Sequence, residues 1–483
     1  MELGLSYDDV LLVPKKSGVT SRKEVSTETF LTKKIKLKIP LLSANMDTIT
    51  EANMAIAIAE LGGIGIIHRF LSIYDQAHEV LKVKRYRNAV IKNPYTIKYN
   101  SKLSDALKFM KDKGVKSLLV VSDDDKLTGI LTSRDLKLIK NNYEIPISEI
   151  MAPRERLVVS SPDISIGEAD SLMVINRVEK LPLINPDWTI AGLITKKDIE
   201  KQISHPNSSL DSKGRLLVGA AIGVKEDALQ RARALIEAGA DILVIDIAHG
   251  HSDLAINTLK KLKSQFPNIP VIAGNVCTAE GTKELIEVGA DAVKVGVGGG
   301  SVCTTRIITG AGFPQLSAIT NCAREAGKYG IPIIADGGIR SSGDITKAIA
   351  AGASTAMIGR LFSGTDQSPG IPIVKDNKKY KVIRGMASFG AKLGREERDG
   401  GEKGNGNKSY DNIFDFIPEG VEAMVPYAGS VSEIIYQLIG GLKSGMSYAG
   451  AKNIEEIRGN AEFVQITSAG LKESHAHDVE SLS

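Results

Sequence analysis

The sequence predicts an α/β protein, a (β/α)8 barrel carrying an inserted α+β module. Three observations carry the prediction. Short Val/Ile-rich runs alternate with helical stretches from about residue 215 to 365. Each helical stretch closes on Ala-Gly-Ala or a similar triplet. Residues 92–203 break the alternation with a duplicated motif of their own.

The start, "MELGLSYDDVLLVP", has no basic leader and carries Asp8 and Asp9 early, unlike a secretion signal. "IPLLSANMDT" and "ELGGIGIIHR" read as the first barrel strands, within a first barrel part at 1–91. The second part, 204–483, opens with "RLLVGAAIGV" before "KEDALQRARALIEAGA". "ADILVIDIAHG", "IPVIAGNVCT", "ADAVKVGVGGG", "IPIIADGGI" and "TAMIGRLFSG" continue the series. These runs are apolar without alternation, as expected of parallel strands buried on both faces. Gly at each helix end is a C-cap signal. A Rossmann sheet is the runner-up; "GVGGGS" lacks the dinucleotide fingerprint and its acidic partner.

Within the insert, "KLTGILTSRDLK" (126–137) matches "TIAGLITKKDIEK" (189–201), with Gly129 and Gly192 in register at an offset of 63. Such self-similarity marks a duplicated module, here 92–145 and 146–203. The repeats resemble a CBS-domain pair. That resemblance implies a regulatory module holding an adenine or guanine nucleotide, with Asp135 and Asp198 where the ribose would sit. The plainer reading is a structural insert that binds nothing.

Composition excludes several classes. The chain has 483 residues, too many for one ordinary core. A net charge of +4 is too weak to argue for nucleic acid or a membrane surface, and no apolar stretch is long enough to span a bilayer. Three cysteines without framework spacing argue against a disulfide scaffold, so a reducing cytoplasm is expected.

One of those cysteines stands in "GGGSVCTTRIITGAGFPQ" (298–315), among glycines that let backbone approach a ligand closely. Cys303, Asp336 and Gly359 all follow predicted strands, and barrel active sites form at strand C-terminal ends. Ser301, Gly337, Gly338 and Gly359 offer backbone N–H groups to a phosphate. Asp336 suits two ribose hydroxyls, and Cys303 an electrophilic ring carbon. Taken singly, Cys303 reads equally well as a buried thiol, and Asp336 as an N-cap.

"SYDDVLLVP", "SANMDT", "GGIGIIHR", "KVGVGGGSVCTTR", "ADGGIRSSGDITKA", "FIPEGVEAMVPYAGSV" and "LKESHAHDV" together resemble the IMP dehydrogenase / GMP reductase family along nearly the whole chain. The resemblance implies oxidation of IMP to XMP with NAD, through addition of Cys303 to purine C2. It places Thr305 beside the thiol. Ser301, Gly338, Gly359 and Arg360 fall at the phosphate, Asp336 at the ribose, and Gly385 and Glu419 among the remaining substrate contacts. Asp246, Asn275 and Arg306 fall near the nicotinamide. Carbonyls of Gly298, Gly300 and Cys303 would hold potassium, completed by Glu473, Ser474 and His475 from a neighbouring subunit. A homotetramer is implied, with the CBS modules a route to octamers.

Five departures stand out. Gly299 replaces a proline, Arg360 a serine, Ile383 a tyrosine and Ala387 a glycine. The loop at about 390–417, read as a flap, lacks the usual Arg-Tyr pair; Arg395, Arg398 or Lys408 with Tyr410 are candidate stand-ins, and each of them also reads as part of a surface charge cluster. That opens a reductase taking GMP to IMP and ammonia with NADPH, which "GFPQLSAI" (312–319) also suggests. Phe389 stands where the reductases carry a glutamate, and the "ESHAHDV" tail is foreign to the simple ones. A nucleotide-sensing protein without turnover is the third reading.

Overall fold

The computed structural model describes residues 3–87, 90–136, 143–391 and 417–476. Arg395, Arg398, Lys408 and Tyr410 lie outside the described residues. The chain forms two compact units, residues 1–86 with 207–483, and residues 87–206. The sequence reading drew the insert at 92–203.

The first unit is a closed barrel of eight parallel strands. We number them β1 (Leu41–Ser43), β2 (Ile64–Ile67), β3 (Val218–Ile222), β4 (Ile242–Ile245), β5 (Val271–Val276), β6 (Ala292–Val295), β7 (Ile333–Asp336) and β8 (Thr355–Ile358). β8 pairs with β1, so the two N-terminal runs close the ring as their patterning suggested. Every residue of β2, β3, β4, β6 and β8 is buried, which explains the absence of alternation. Their side chains fill one continuous core.

The recurring Ala-Gly-Ala is a helix stop with a definite geometry. After the helix Ala228–Glu237, Gly239 takes φ +98°, its N–H bonds Ile236 O at 2.9 Å and the next N–H bonds Leu235 O at 2.9 Å. The same crossed pair of bonds follows the helices Ala279–Glu287 and Ser342–Ala350. This closure satisfies orphan carbonyls and needs a left-handed residue, hence glycine. Beyond β8, Ile373–Lys375, Lys378–Arg384 and Glu422–Pro426 make a three-stranded antiparallel sheet.

The second unit contains two like halves. Hairpins Ser117–Val121/Leu127–Thr132 and Lys180–Ile184/Ile190–Thr195 each lead into a helix. Each half has its own small core, and the two cores correspond at the offset of 63 seen in sequence. Ala106, Met110, Leu118, Val120 and Leu131 match Ala169, Met173, Leu181, Leu183 and Ile194. Asp135 accepts from Thr132 N and Oγ1, both at 2.7 Å, and Asp198 from Thr195 Oγ1 at 2.5 Å. Both carboxylates therefore tie helix starts. Among the described residues no helix is long and apolar enough to cross a membrane.

Candidate active site

The C-terminal ends of the barrel strands surround a cavity of about 630 Å3. Cys303, Thr305, Ser301, Asp336, Gly338, Gly359, Arg360, Gly385 and Glu419 all line it. So do Asp246, Asn275, Arg306, Gly298 and Gly300. Asp246, the cysteine loop, Asp336 and Gly359 converge because they end or follow four different strands of one ring, β4, β6, β7 and β8; Gly385 and Glu419 come from the segments flanking the antiparallel sheet.

Asp336 ends β7 beside Lys294 of β6, a buried lysine inside an apolar strand. A buried ammonium needs a partner. Lys294 Nζ meets Asp336 Oδ2 at 2.7 Å and also bonds Asn275 Oδ1. Asn275 Nδ2 donates to the same Oδ2 at 2.9 Å. Both donors hold one oxygen, so Oδ1 of Asp336 keeps its accepting capacity for a ligand. Gln315, also buried, donates to the Val295 carbonyl at 2.9 Å and the Asp336 carbonyl at 3.2 Å. Asp246, after β4, is gripped at both oxygens, by Asn45 Nδ2 and by Arg69 Nε, each at 2.8 Å.

Cys303 lies eight positions beyond β6, on a loop, with Sγ 3.1 Å from Thr305 Oγ1. Main-chain bonds fix this loop. Thr304 N bonds Glu419 O at 2.8 Å, Val421 N bonds Val302 O at 2.9 Å, and Gly385 N bonds Val421 O at 3.0 Å. A Cβ on Gly385 would stand 2.9 Å from Val302 O, so only glycine permits this stacking of three segments. Arg306 lines the same cavity as Asp246 and Asn275 and also has a structural part. Its Nε bonds Val297 O at 3.1 Å and a terminal nitrogen bonds Phe313 O. The guanidinium thus clamps the two ends of the cysteine loop. Gly298, at φ +76°, packs on its stem: a Cβ there would come 2.4 Å from Arg306 Cγ.

The carbonyl of Gly300 already accepts Cys303 N at 3.1 Å, leaving it one further lone pair. Glu473, Ser474 and His475 are exposed and do not line the cavity of their own chain. Their segment is tied to the N-terminus, where Val10–Leu12 pairs with Phe463–Gln465 and Ile466 N bonds Asp9 O at 2.9 Å. Asp8 is bonded by Arg340, and this holds its carboxyl below the usual carboxylate range. Ile383, in place of a tyrosine, is buried and also lines the cavity. The other two thiols are remote in character. Burial pushes Cys322 up to about 12 and raises Cys277.

Several site residues were not singled out from sequence. Lys294 had a visible signal, a lone charge within "AVKV"; Arg69 follows β2 much as the chosen residues follow theirs. Asp47 and Arg384, which do not line the cavity but adjoin the lining residues Met46, Ile383 and Gly385, pair at 2.7 Å with no such signal, since their contact joins positions 337 apart.

A family model described as "IMP dehydrogenase / GMP reductase domain" matches residues 4–477. Inosine-5'-monophosphate dehydrogenase of Nitrosopumilus maritimus is 51% identical over 99% of this chain and 98% of its own. The protein of that name from Aquifex aeolicus is 52% identical over 99% of this chain and 96% of its own. GMP reductase of Leishmania major is 47% identical, covering 99% of this chain and 98% of its own. The crystal structure of Trypanosoma brucei GMP reductase C318A with guanosine 5'-monophosphate superposes with a TM-score of 0.91 at 47% identity, over 99% of both chains.

Proposed function

We propose that this chain, which belongs to the IMP dehydrogenase / GMP reductase family, oxidises IMP to XMP with NAD as hydride acceptor. The observation that carries this reading is the Cys303 loop, bonded through Thr304 to the Glu419 segment at the mouth of a cavity floored by Asp336. Thiol, base-facing carboxylate and ribose acceptor thereby face one volume.

In this reading the phosphate lies against the amides of Ser301, Gly338 and Gly359, with Arg360 beside them. Asp336 Oδ1 takes the ribose hydroxyls, its other oxygen being held by Lys294 and Asn275. Cys303 sulfur then adds to purine C2, with Thr305 at 3.1 Å to exchange a proton with it. Loss of hydride from C2 leaves a thioimidate. Water adds at that carbon, the C–S bond breaks, and XMP and the free thiol are released. The water-activating group belongs to the flap, outside the described residues.

Asp246, Asn275 and Arg306 line this cavity and are the groups that the reading places beside the nicotinamide, with Arg69 holding one oxygen of Asp246. Bound there, NAD supplies the hydride acceptor. For potassium, the carbonyls of Gly298, Gly300 and Cys303 are the candidate ligands, oxygen donors of the kind a hard cation takes, joined by Glu473, Ser474 and His475 from another subunit of a homotetramer. The inserted unit is read as a CBS pair open to an adenine or guanine nucleotide.

The second reading, reduction of GMP to IMP and ammonia with NADPH, is favoured by the 47% identity to GMP reductases along the whole chain and by the missing Arg-Tyr pair. Phe389 in place of a glutamate speaks against it. Absorbance of reduced nicotinamide separates them. With potassium present, IMP plus NAD is expected to give a rise and XMP. A fall with GMP plus NADPH, and no rise with IMP, would replace the dehydrogenase by the reductase. A single-turnover burst would mean that hydrolysis has been lost.

A further inference from the structure

A second cavity of about 380 Å3 lies within the barrel unit, and Arg340 and Arg360 line both it and the first. The two cavities therefore meet at an arginine pair, at the end where the reading above puts the substrate phosphate. The far walls are Gln437 and Leu438 of the helix Val431–Tyr448 and Val425 beyond the hairpin. None of the proposed chemistry uses this space.

Its electrostatics are one-sided. Among the described residues no carboxylate lines it. Arg360 is exposed, and its guanidinium makes no hydrogen bond or ion pair with any described residue. Arg340 is shared: it bonds Asp8 and stands 3.7 Å from Asp344, neither of which lines the second cavity. The nine-residue helix Ser342–Ala350 starts at this wall, so the N–H groups of its first turn add positive potential. Ser341 is already spent, accepting Asp344 N at 3.2 Å.

We infer that the second cavity is a subsite for phosphate groups beyond the first. Purine nucleoside di- and triphosphates then bind with the α-phosphate at Gly338 and Gly359 and the outer phosphates between Arg340 and Arg360. Guanidinium forks suit such oxygens, and the apolar walls of Val425 and Leu438 reduce screening of the charge. A nucleotide in this register occupies the space at Cys303 and excludes the substrate, so it inhibits competitively. The inference rests on the nucleotide reading of the first cavity.

Calorimetric titration of the full chain with IMP, inosine 5'-diphosphate and inorganic diphosphate tests it. The nucleoside diphosphate is expected to displace IMP. Gln437 is exposed on a helix surface, so its substitution leaves the core intact. Gln437→Glu sets a carboxylate in the second cavity and is expected to weaken the nucleoside diphosphate about fivefold, with IMP shifted less than about twofold. Gln437→Lys should tighten it. If IMP binds and the nucleoside diphosphate does not, or if both ligands respond alike to the two variants, the subsite is refuted and the nucleotide reading stands. Inorganic diphosphate binding alongside IMP refutes the tethered form. If IMP itself does not bind, the nucleotide reading fails and the inference falls with it.

Discussion

The barrel unit and the inserted unit use the same residue types to different ends. In the barrel, a carboxylate at a strand end is held by distant partners: Asp336 by Lys294 and Asn275, Asp246 by Asn45 and Arg69. In the insert, Asp135 and Asp198 are held by threonines three positions away. The barrel gathers long-range contacts at one rim and leaves polar atoms facing a cavity. The insert ties these two aspartates locally and repeats the arrangement in both halves. The contrast is one of range: the barrel aspartates are positioned by the tertiary fold, those of the insert by their own turn of chain.

The sharpest way to break this contrast is Cys303→Ala. It should lower turnover by about a thousandfold or more, with nucleotide binding kept. Turnover within about tenfold of the parent would remove the thiol from the reaction. Asp336→Ala comes next and should raise the KM for the nucleotide by about ten- to a hundredfold. An unchanged KM would take the ribose away from this carboxylate.

Asp135→Ala and Asp198→Ala should each cost the inserted unit about 1 kcal/mol in thermal unfolding, with kcat unchanged, as loss of a helix-start bond does. Loss of nucleotide binding to the inserted unit with no loss of stability would mark these carboxylates as ligand groups instead. The smallest effect is expected from removing 87–206 altogether. Arg87 Nη1 bonds His205 O at 3.3 Å, so the two ends of the insert are close and a short Gly-Ser link can join them. Activity within about twofold of the parent is expected. Collapse of solubility or turnover would show that the barrel depends on the insert.

Much of this was legible in advance because it rests on local pattern. Uninterrupted Val/Ile runs marked the buried strands, glycine after each helix marked a left-handed stop, and the offset of 63 reappeared in two matching cores. The cysteine loop and the glycines that follow β7 and β8 were placed by the rule that barrel strands end at one rim. What stayed hidden depends on pairs far apart in the chain. Nothing in the sequence marks the two carbonyls, of Val297 and Phe313, on which Arg306 closes the loop. Asp47 and Arg384 carry no mark of each other.

The sequence by itself determined the barrel and the duplicated insert, because strand burial, helix capping and repeat spacing are written in short windows; it marked the cysteine loop and the strand-end glycines, but not Lys294 or Arg69. Only the tertiary structure decided how the cavity residues are charged and held: which oxygen of Asp336 is left open, what fixes Asp246, and that Arg340 and Arg360 stand between two cavities. The reason is physical. A side chain's hydrogen-bonding capacity is fixed by its chemistry, but whether it remains available to a ligand depends on which distant groups the closed ring brings within about 3 Å of it.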